Sequence, residues 1–116
     1  MTEPGVRAAL QAAITQAMKR RDRAAAAVYR TALAAIDNAE AVPQGDQIRG
    51  GAIEQSPLGV GRAEATRRAL TDGDMADVVR RDAQERLAAA DSLAAANALA
   101  AERLRREARL LLDLVG

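Results

Sequence analysis

The sequence contains no cysteine, histidine, phenylalanine or tryptophan, and its single aromatic residue is Tyr29. Without cysteine, the chain can form no disulfide, zinc-thiolate site or thiol nucleophile. Without histidine, the commonest general base is missing too, and Ser56 and Ser92 have no identifiable partner to activate them. We therefore expect no independent catalytic site, no cofactor and no metal site.

Long apolar segments are also missing. The first residues, MTEPGVRAAL, lack the apolar stretch of a signal peptide. No apolar run approaches the roughly 18 residues that a membrane span requires. The sequence therefore predicts a soluble cytoplasmic protein without membrane contact. Because the net charge is only +1, any binding to nucleic acid has to come from local clusters of cations.

Alanine is abundant, at about a quarter of all positions. It has the best intrinsic helix propensity, and its small side chain lets neighbouring helices approach closely. A chain of 116 residues is expected to form one domain around one hydrophobic core. The composition therefore favours a single domain of closely packed helices.

The apolar periodicity predicts four helices, at about residues 5–19, 22–41, 72–95 and 98–115. The segment KRRDR, residues 19–23, either continues the first helix or breaks it, with Asp22 as N-cap of the second. Thr71 and Asp74 have the spacing of a capping box at the start of the third helix. A single helix from there to the C-terminus would be about 60 Å long. A compact domain of this size has an expected radius of gyration of only about 13 Å, so such a helix would be too long for it. We therefore expect a break, with Asn97 in a left-handed conformation.

Residues 42–61 contain two of the three prolines and five of the eight glycines, which is typical of a loop. The predicted fold class is therefore all-α. It is a four-helix up-down arrangement, in which this long loop joins two helical hairpins.

Clusters of cations are the candidate nucleic-acid contacts. In the last helix, arginines three and four residues apart can form a strip of guanidinium groups that meets phosphates. Acidic residues lie within a turn or two of each cluster, so solvated faces with intrahelical ion pairs are the alternative. The candidates are Lys19, Arg20, Arg21, Arg103, Arg105, Arg106 and Arg109.

The C-terminal segment LLLDLV is apolar around more than one face of its helix. Leu110 and Leu114 lie beside the predicted core stripe, and Leu112 points elsewhere. An apolar helix end of this kind usually needs a cover. The loop, a second subunit or another protein can supply it, and we favour a partner or dimer contact through these three leucines.

The order of three segments resembles the YqeY-like family. They are AMKRRDRAAAAVYRTALAAIDNAEAV, RRALTDGDMADVVRRDAQERLAAADSL and AAERLRREARLLLDL. The matching positions include Lys19 with Asp22, then Arg30, then Leu70-Thr71, and Glu107 ahead of Leu110-Leu111. Members of that family continue past the fourth helix into a second helical unit, whereas this sequence ends at Gly116. The resemblance is therefore to the N-terminal helical part.

The YqeY-like family is similar to the tail domain of the B subunit of the Asp/Glu-tRNA amidotransferase, a glutamine-dependent carbon-nitrogen ligase. The resemblance implies an all-helical domain close to tRNA that lacks the catalytic residues of that enzyme. The expected function is a non-catalytic accessory domain associated with tRNA or other RNA, with tRNA or a tRNA-processing protein as partner. The alternative is a protein-interaction or dimerisation module that docks through the apolar C-terminal helix.

The resemblance also suggests a role for Arg30, which interrupts the apolar stripe of the second helix. The family pattern has an arginine at this point and a glutamate at the position of Glu107. We expect Arg30 to reach Asp82 or Glu107 across the helical interface in a structural ion pair. The alternative is that Arg30 faces a ligand.

Overall fold

A computed structural model of the chain describes residues 4–41 and 69–116. All regular secondary structure within these two ranges is helical, which confirms the all-α prediction for them. The predicted loop, residues 42–61, lies outside the described residues. The four helices are α1, Val6–Lys19; α2, Arg23–Ala41; α3, Asp72–Leu93; and α4, Ala98–Val115.

The start of α3 is fixed by the predicted capping box. The Thr71 hydroxyl accepts a hydrogen bond from the Asp74 backbone N–H at 3.0 Å, and the Asp74 carboxylate accepts one from the Thr71 N–H at 3.2 Å. Each bond satisfies a backbone donor that the helix leaves unpaired at its first turn. The local spacing of Thr71 and Asp74 was therefore sufficient to predict this helix start.

Asp72 links the start of α3 to the start of α1. The N-cap of α1 is Gly5, which has no side chain to accept a hydrogen bond. The Asp72 Oδ1 atom accepts one instead from the backbone N–H of Val6, at 3.2 Å. One carboxylate therefore serves the first turns of two helices that are far apart in the sequence.

The break between α3 and α4 falls where the sequence predicts it, but its conformation differs from the expectation. Asn97 has φ −150° and ψ 84°, so it is not left-handed. Its side-chain oxygen accepts a hydrogen bond from the Ala100 backbone N–H at 3.1 Å. Asn97 is thus the N-cap of α4, which needs a non-helical backbone, and it does not form the left-handed end of α3.

The core lies between the helices, and each helix contacts the other three. The most extensive contacts are between α1 and α2 and between α3 and α4. Each helix contributes one large, fully buried side chain: Leu10, Ile36, Val79 and Leu111. Small residues fill the space around them, which lets the helices pack closely. The rest of this core is Ala17, Ala25, Ala26, Val28, Tyr29, Ala32, Ala83 and Ala108.

In the part of the chain that the structure describes, no helix has both the length and the apolar character needed to cross a bilayer.

Candidate nucleic-acid interface

The turn between α1 and α2 carries the first cluster of cations. Two backbone hydrogen bonds close it, from the Arg21 N–H to the Met18 carbonyl at 3.0 Å and from the Asp22 N–H to the Ala17 carbonyl at 2.8 Å. This pair of bonds is the Schellman motif, which satisfies the last carbonyls of a helix. The segment KRRDR therefore breaks the helix, which decides between the two sequence-based alternatives.

Arg21 occupies the position of the motif at which glycine is usual. Its φ is 61°, and it is the one residue other than glycine with a positive φ in the described ranges. A left-handed backbone brings the Cβ atom close to the following carbonyl, at a cost of about 1–2 kcal/mol. The chain therefore holds an arginine in a conformation that a glycine would adopt without this strain.

The cations of this turn have little local compensation. Lys19, Arg20 and Arg21 are all exposed, and none has a carboxylate oxygen of the described residues within 4.0 Å. The one acidic residue of the turn is Asp22. Its Oδ1 atom accepts a hydrogen bond from the Ala25 N–H at 3.0 Å, which confirms Asp22 as the N-cap of α2.

Tyr29 indicates which parts of the molecule lie near this turn. Burial raises the pKa of its hydroxyl. The charge of Arg20 acts in the opposite direction, and the charges of Asp22 and Asp113 reinforce the rise. These electrostatic effects place Asp113, near the end of α4, on the same side of the molecule as the α1–α2 turn.

The four arginines of the α4 cluster are exposed. Arg105 lies 3.4 Å from the Asp91 carboxylate, and because both side chains are largely exposed this contact is weak. None of the other three, Arg103, Arg106 and Arg109, has a carboxylate oxygen within 4.0 Å among residues 4–41 and 69–116. These three arginines thus form no intrahelical ion pair with the described residues, and their exposure agrees with the solvated faces of the alternative.

Arg30 does not make the expected ion pair. It is exposed, and its guanidinium donates to the Met18 sulfur of α1 at 3.1 Å. Arg30 follows the buried Tyr29 directly, so it lies about 100° further round the helix, on a flank of α2. That flank faces α1, which makes Asp82 and Glu107 the wrong partners. Met18 itself is 56% exposed.

Arg86 of α3 is the cation that Asp82 and Glu107 bind. Its Nε donates to Asp82 at 2.9 Å, one turn earlier in α3, and its NH1 donates to Glu107 of α4 at 2.7 Å. All three side chains are mostly buried, at 16–18% exposure. Sequence analysis missed Arg86, although its spacing of four residues from Asp82 is a readable signal.

A second arginine, Arg7, links α1 to α2 in a similar way. Its guanidinium donates to Asp37 at 2.6 Å and to Glu40 at 2.8 Å. The hydrogen bond to Asp37 raises the pKa of Arg7 above its usual value, with a further contribution from Glu40, while partial burial opposes the rise. No local spacing indicates this contact, because the partners are at least 30 residues apart.

The C-terminal leucines are less exposed than their sequence suggests. Leu110, Leu112 and Leu114 are all half-buried and pack against the core. The large apolar side chain with the greatest exposure in the described ranges is Leu99, at 80%, in the first turn of α4. Leu93, at the end of α3, is also exposed, at 37%.

No group of three or more aspartate or glutamate side chains in the described ranges is arranged to hold a metal ion. Comparisons with known protein families, characterised proteins and solved structures gave no match to this chain.

Proposed function

We propose that this protein is a non-catalytic accessory domain that binds tRNA or other RNA through the phosphate backbone. The observation that carries the proposal is the state of the seven candidate cations. All seven are exposed, and six of them lack a carboxylate within 4.0 Å among the described residues. Cations in this state attract phosphates, and their binding releases the counterions of the RNA.

The contrast with the other arginines supports this division of roles. Arg7 and Arg86 each bind two carboxylates, and each joins two helices. Their charges are compensated within the fold. The charges of the α1–α2 turn and of most of the α4 cluster are not compensated in this way by the described residues, so they can meet a polyanion, as can the exposed Arg23, Arg30 and Arg81.

Contact with phosphates is favoured over contact with bases. Single-stranded bases bind proteins largely by stacking on exposed aromatic side chains. The single aromatic residue of the chain, Tyr29, is buried in the core at 9% exposure. Arginine is well suited to phosphates because its planar fork can donate two hydrogen bonds at once.

The choice of tRNA rests on the resemblance to the YqeY-like family and the amidotransferase tail. The proposal places the protein in the cytoplasm, where tRNA is used. We further propose that the helices form two antiparallel hairpins in an up-down arrangement, joined through residues 42–61. The contact of Arg7, near the start of α1, with Glu40, near the end of α2, supports the first hairpin. The Arg86–Glu107 and Arg105–Asp91 contacts support the second.

Fluorescence anisotropy of labelled bulk tRNA, at about 50 and 200 mM salt, tests the proposal. We expect binding at the lower salt concentration and a large loss of affinity at the higher one. The variant Arg106→Ala should bind more weakly. Arg80→Ala is the matched control, since Arg80 is exposed but already bound to Asp77 at 3.0 Å. Absence of binding at low salt would contradict the proposal.

A size-exclusion run on the same samples tests the alternative, a protein-interaction or dimerisation module. Since the three C-terminal leucines already pack against the core, self-association through them is less favoured than the sequence suggests. We expect a monomer at micromolar concentration. A dimer that persists at high salt and is disrupted by Leu112→Ser would favour the alternative, because an apolar interface responds little to salt.

A further inference from the structure

The left-handed arginine of the α1–α2 turn suggests a more specific role for this turn. Arg21 has φ 61° at the position of the Schellman motif where glycine is usual. Backbone strain of this kind persists only where the surrounding structure imposes it, and it is concentrated at functional positions. Here the strained residue is also charged, exposed and without a carboxylate partner in the described ranges.

The neighbours of Arg21 give this position a concentrated positive charge. Residues 19–23 contain four cations, and all four are exposed. The acidic residue within this segment, Asp22, is exposed, and its Oδ1 atom accepts a hydrogen bond from the Ala25 N–H. The charge of Arg20 acts at the Tyr29 hydroxyl, which places that cation near the buried tyrosine of the core.

We propose that this turn is a phosphate-binding site in which Arg21 contacts the phosphate directly, and that Arg21 is retained at a cost in stability. The inference rests on the proposed function and makes it more specific, because it assigns one contact to one residue. The ligand is a phosphate group of a polyanion, since a guanidinium fork matches phosphate oxygens and no exposed aromatic side chain adjoins the turn in the described residues.

The proposal predicts opposite effects of Arg21→Gly on stability and on binding. Glycine adopts a positive φ without strain, so the melting temperature should match that of the wild type or exceed it by up to about 5 °C. Loss of one phosphate contact should weaken tRNA binding about tenfold at 50 mM salt. It should also reduce the slope of log K against log salt by about one unit.

Two further variants separate the charge from the backbone. Arg21→Lys keeps the charge and the strain but not the planar fork, so its stability should equal that of the wild type and its affinity should lie between those of the wild type and Arg21→Gly. Arg21→Asn tolerates the left-handed backbone but is neutral, so it should lose affinity as Arg21→Gly does. If Arg21→Gly binds tRNA as tightly as the wild type does, the turn is not the site.

Inorganic polyphosphate, tested beside tRNA, distinguishes a failure of this inference from a failure of the proposed function. It carries phosphates but no bases or ribose. If the wild type binds polyphosphate in an Arg21-dependent way but not tRNA, the phosphate site stands and the RNA function is wrong. If the wild type binds tRNA, and Arg21→Gly binds tRNA and polyphosphate as tightly as the wild type does, the RNA function stands and this inference is wrong. Binding of neither ligand by the wild type would overturn both.

Discussion

Replacement of Arg86 by methionine should be the most destabilising change at any arginine that the structure describes. The methionine side chain is apolar and fills much of the space of the arginine side chain, so the substitution leaves no large cavity. It leaves the carboxylates of Asp82 and Glu107 mostly buried, at 16% and 18% exposure, without their cation. Loss of one partner of a fully buried ion pair costs about 3–5 kcal/mol.

The expected loss at Arg86 is smaller than that figure, because some water still reaches all three side chains. We expect the free energy of unfolding to fall by about 2–3 kcal/mol. For a domain of this size, the melting temperature should fall by about 8–12 °C. Urea denaturation followed by circular dichroism measures the change. An unchanged m-value would show that the wild type and Arg86→Met unfold between comparable states.

Arg30→Met is the matched control, because the same substitution is made at the arginine that the sequence pattern favoured for this ion pair. Arg30 is exposed, and its one hydrogen-bond partner among the described side chains is the Met18 sulfur. We expect a change below about 0.5 kcal/mol. A third variant, Arg86→Met with Glu107→Leu, should recover part of the loss, since it removes one unpaired carboxylate. Equal losses for Arg86→Met and Arg30→Met would refute the assignment of Arg86.

Five other substitutions, at four positions, test the helix ends and the core. Gly5→Ala should destabilise the fold by about 1 kcal/mol, because the new Cβ would lie 2.7 Å from an Asp72 carboxylate oxygen and displace it from the Val6 N–H. Gly73→Ala should stabilise the fold by about 0.5–1 kcal/mol, because its Cβ would meet nothing closer than 3.7 Å. Thermal melts of the two variants should therefore shift in opposite directions. Asn97→Ala should cost about 1 kcal/mol through loss of the N-cap of α4, while Asn97→Asp should retain most of the stability. Burial raises the pKa of the Tyr29 hydroxyl. The contribution of the protonated hydroxyl to the free energy of unfolding is therefore fully present below about pH 10 and is lost as the pH rises through the folded-state pKa. In a series of thermal melts at different pH, Tyr29→Phe should weaken this alkaline loss of stability.

Local signals predicted the helix ends well. The Thr71 capping box and the Asp22 N-cap each involve residues only three positions apart, so local spacing is enough to predict their hydrogen bonds once a helix is expected there. A break before α4 was predicted from the length that one uninterrupted helix would have, and its position was predicted from Asn97. The conformation of Asn97 was not, because asparagine suits both a left-handed helix end and an N-cap.

Contacts between helices were predicted less well. Arg30 and Tyr29 are adjacent in sequence, but one is exposed and the other buried, so a small error in helix rotation changes the partner. The contact of Arg7 with Asp37 and Glu40 depends on how α1 and α2 pack, which no local spacing encodes. Exposure of the candidate cations agrees with their sequence pattern, whereas the half-burial of the C-terminal leucines depends on the neighbouring helices.

The central claim is that uncompensated cations bind RNA phosphates, and the salt dependence of tRNA affinity tests it most directly. A plot of log K against log salt for the wild type should be linear, with a slope that corresponds to several phosphate contacts. The same plot for a variant with alanine at Lys19, Arg20 and Arg21 should be shallower by about two to three units. A wild-type slope near zero, or equal slopes for the two proteins, would contradict the claim.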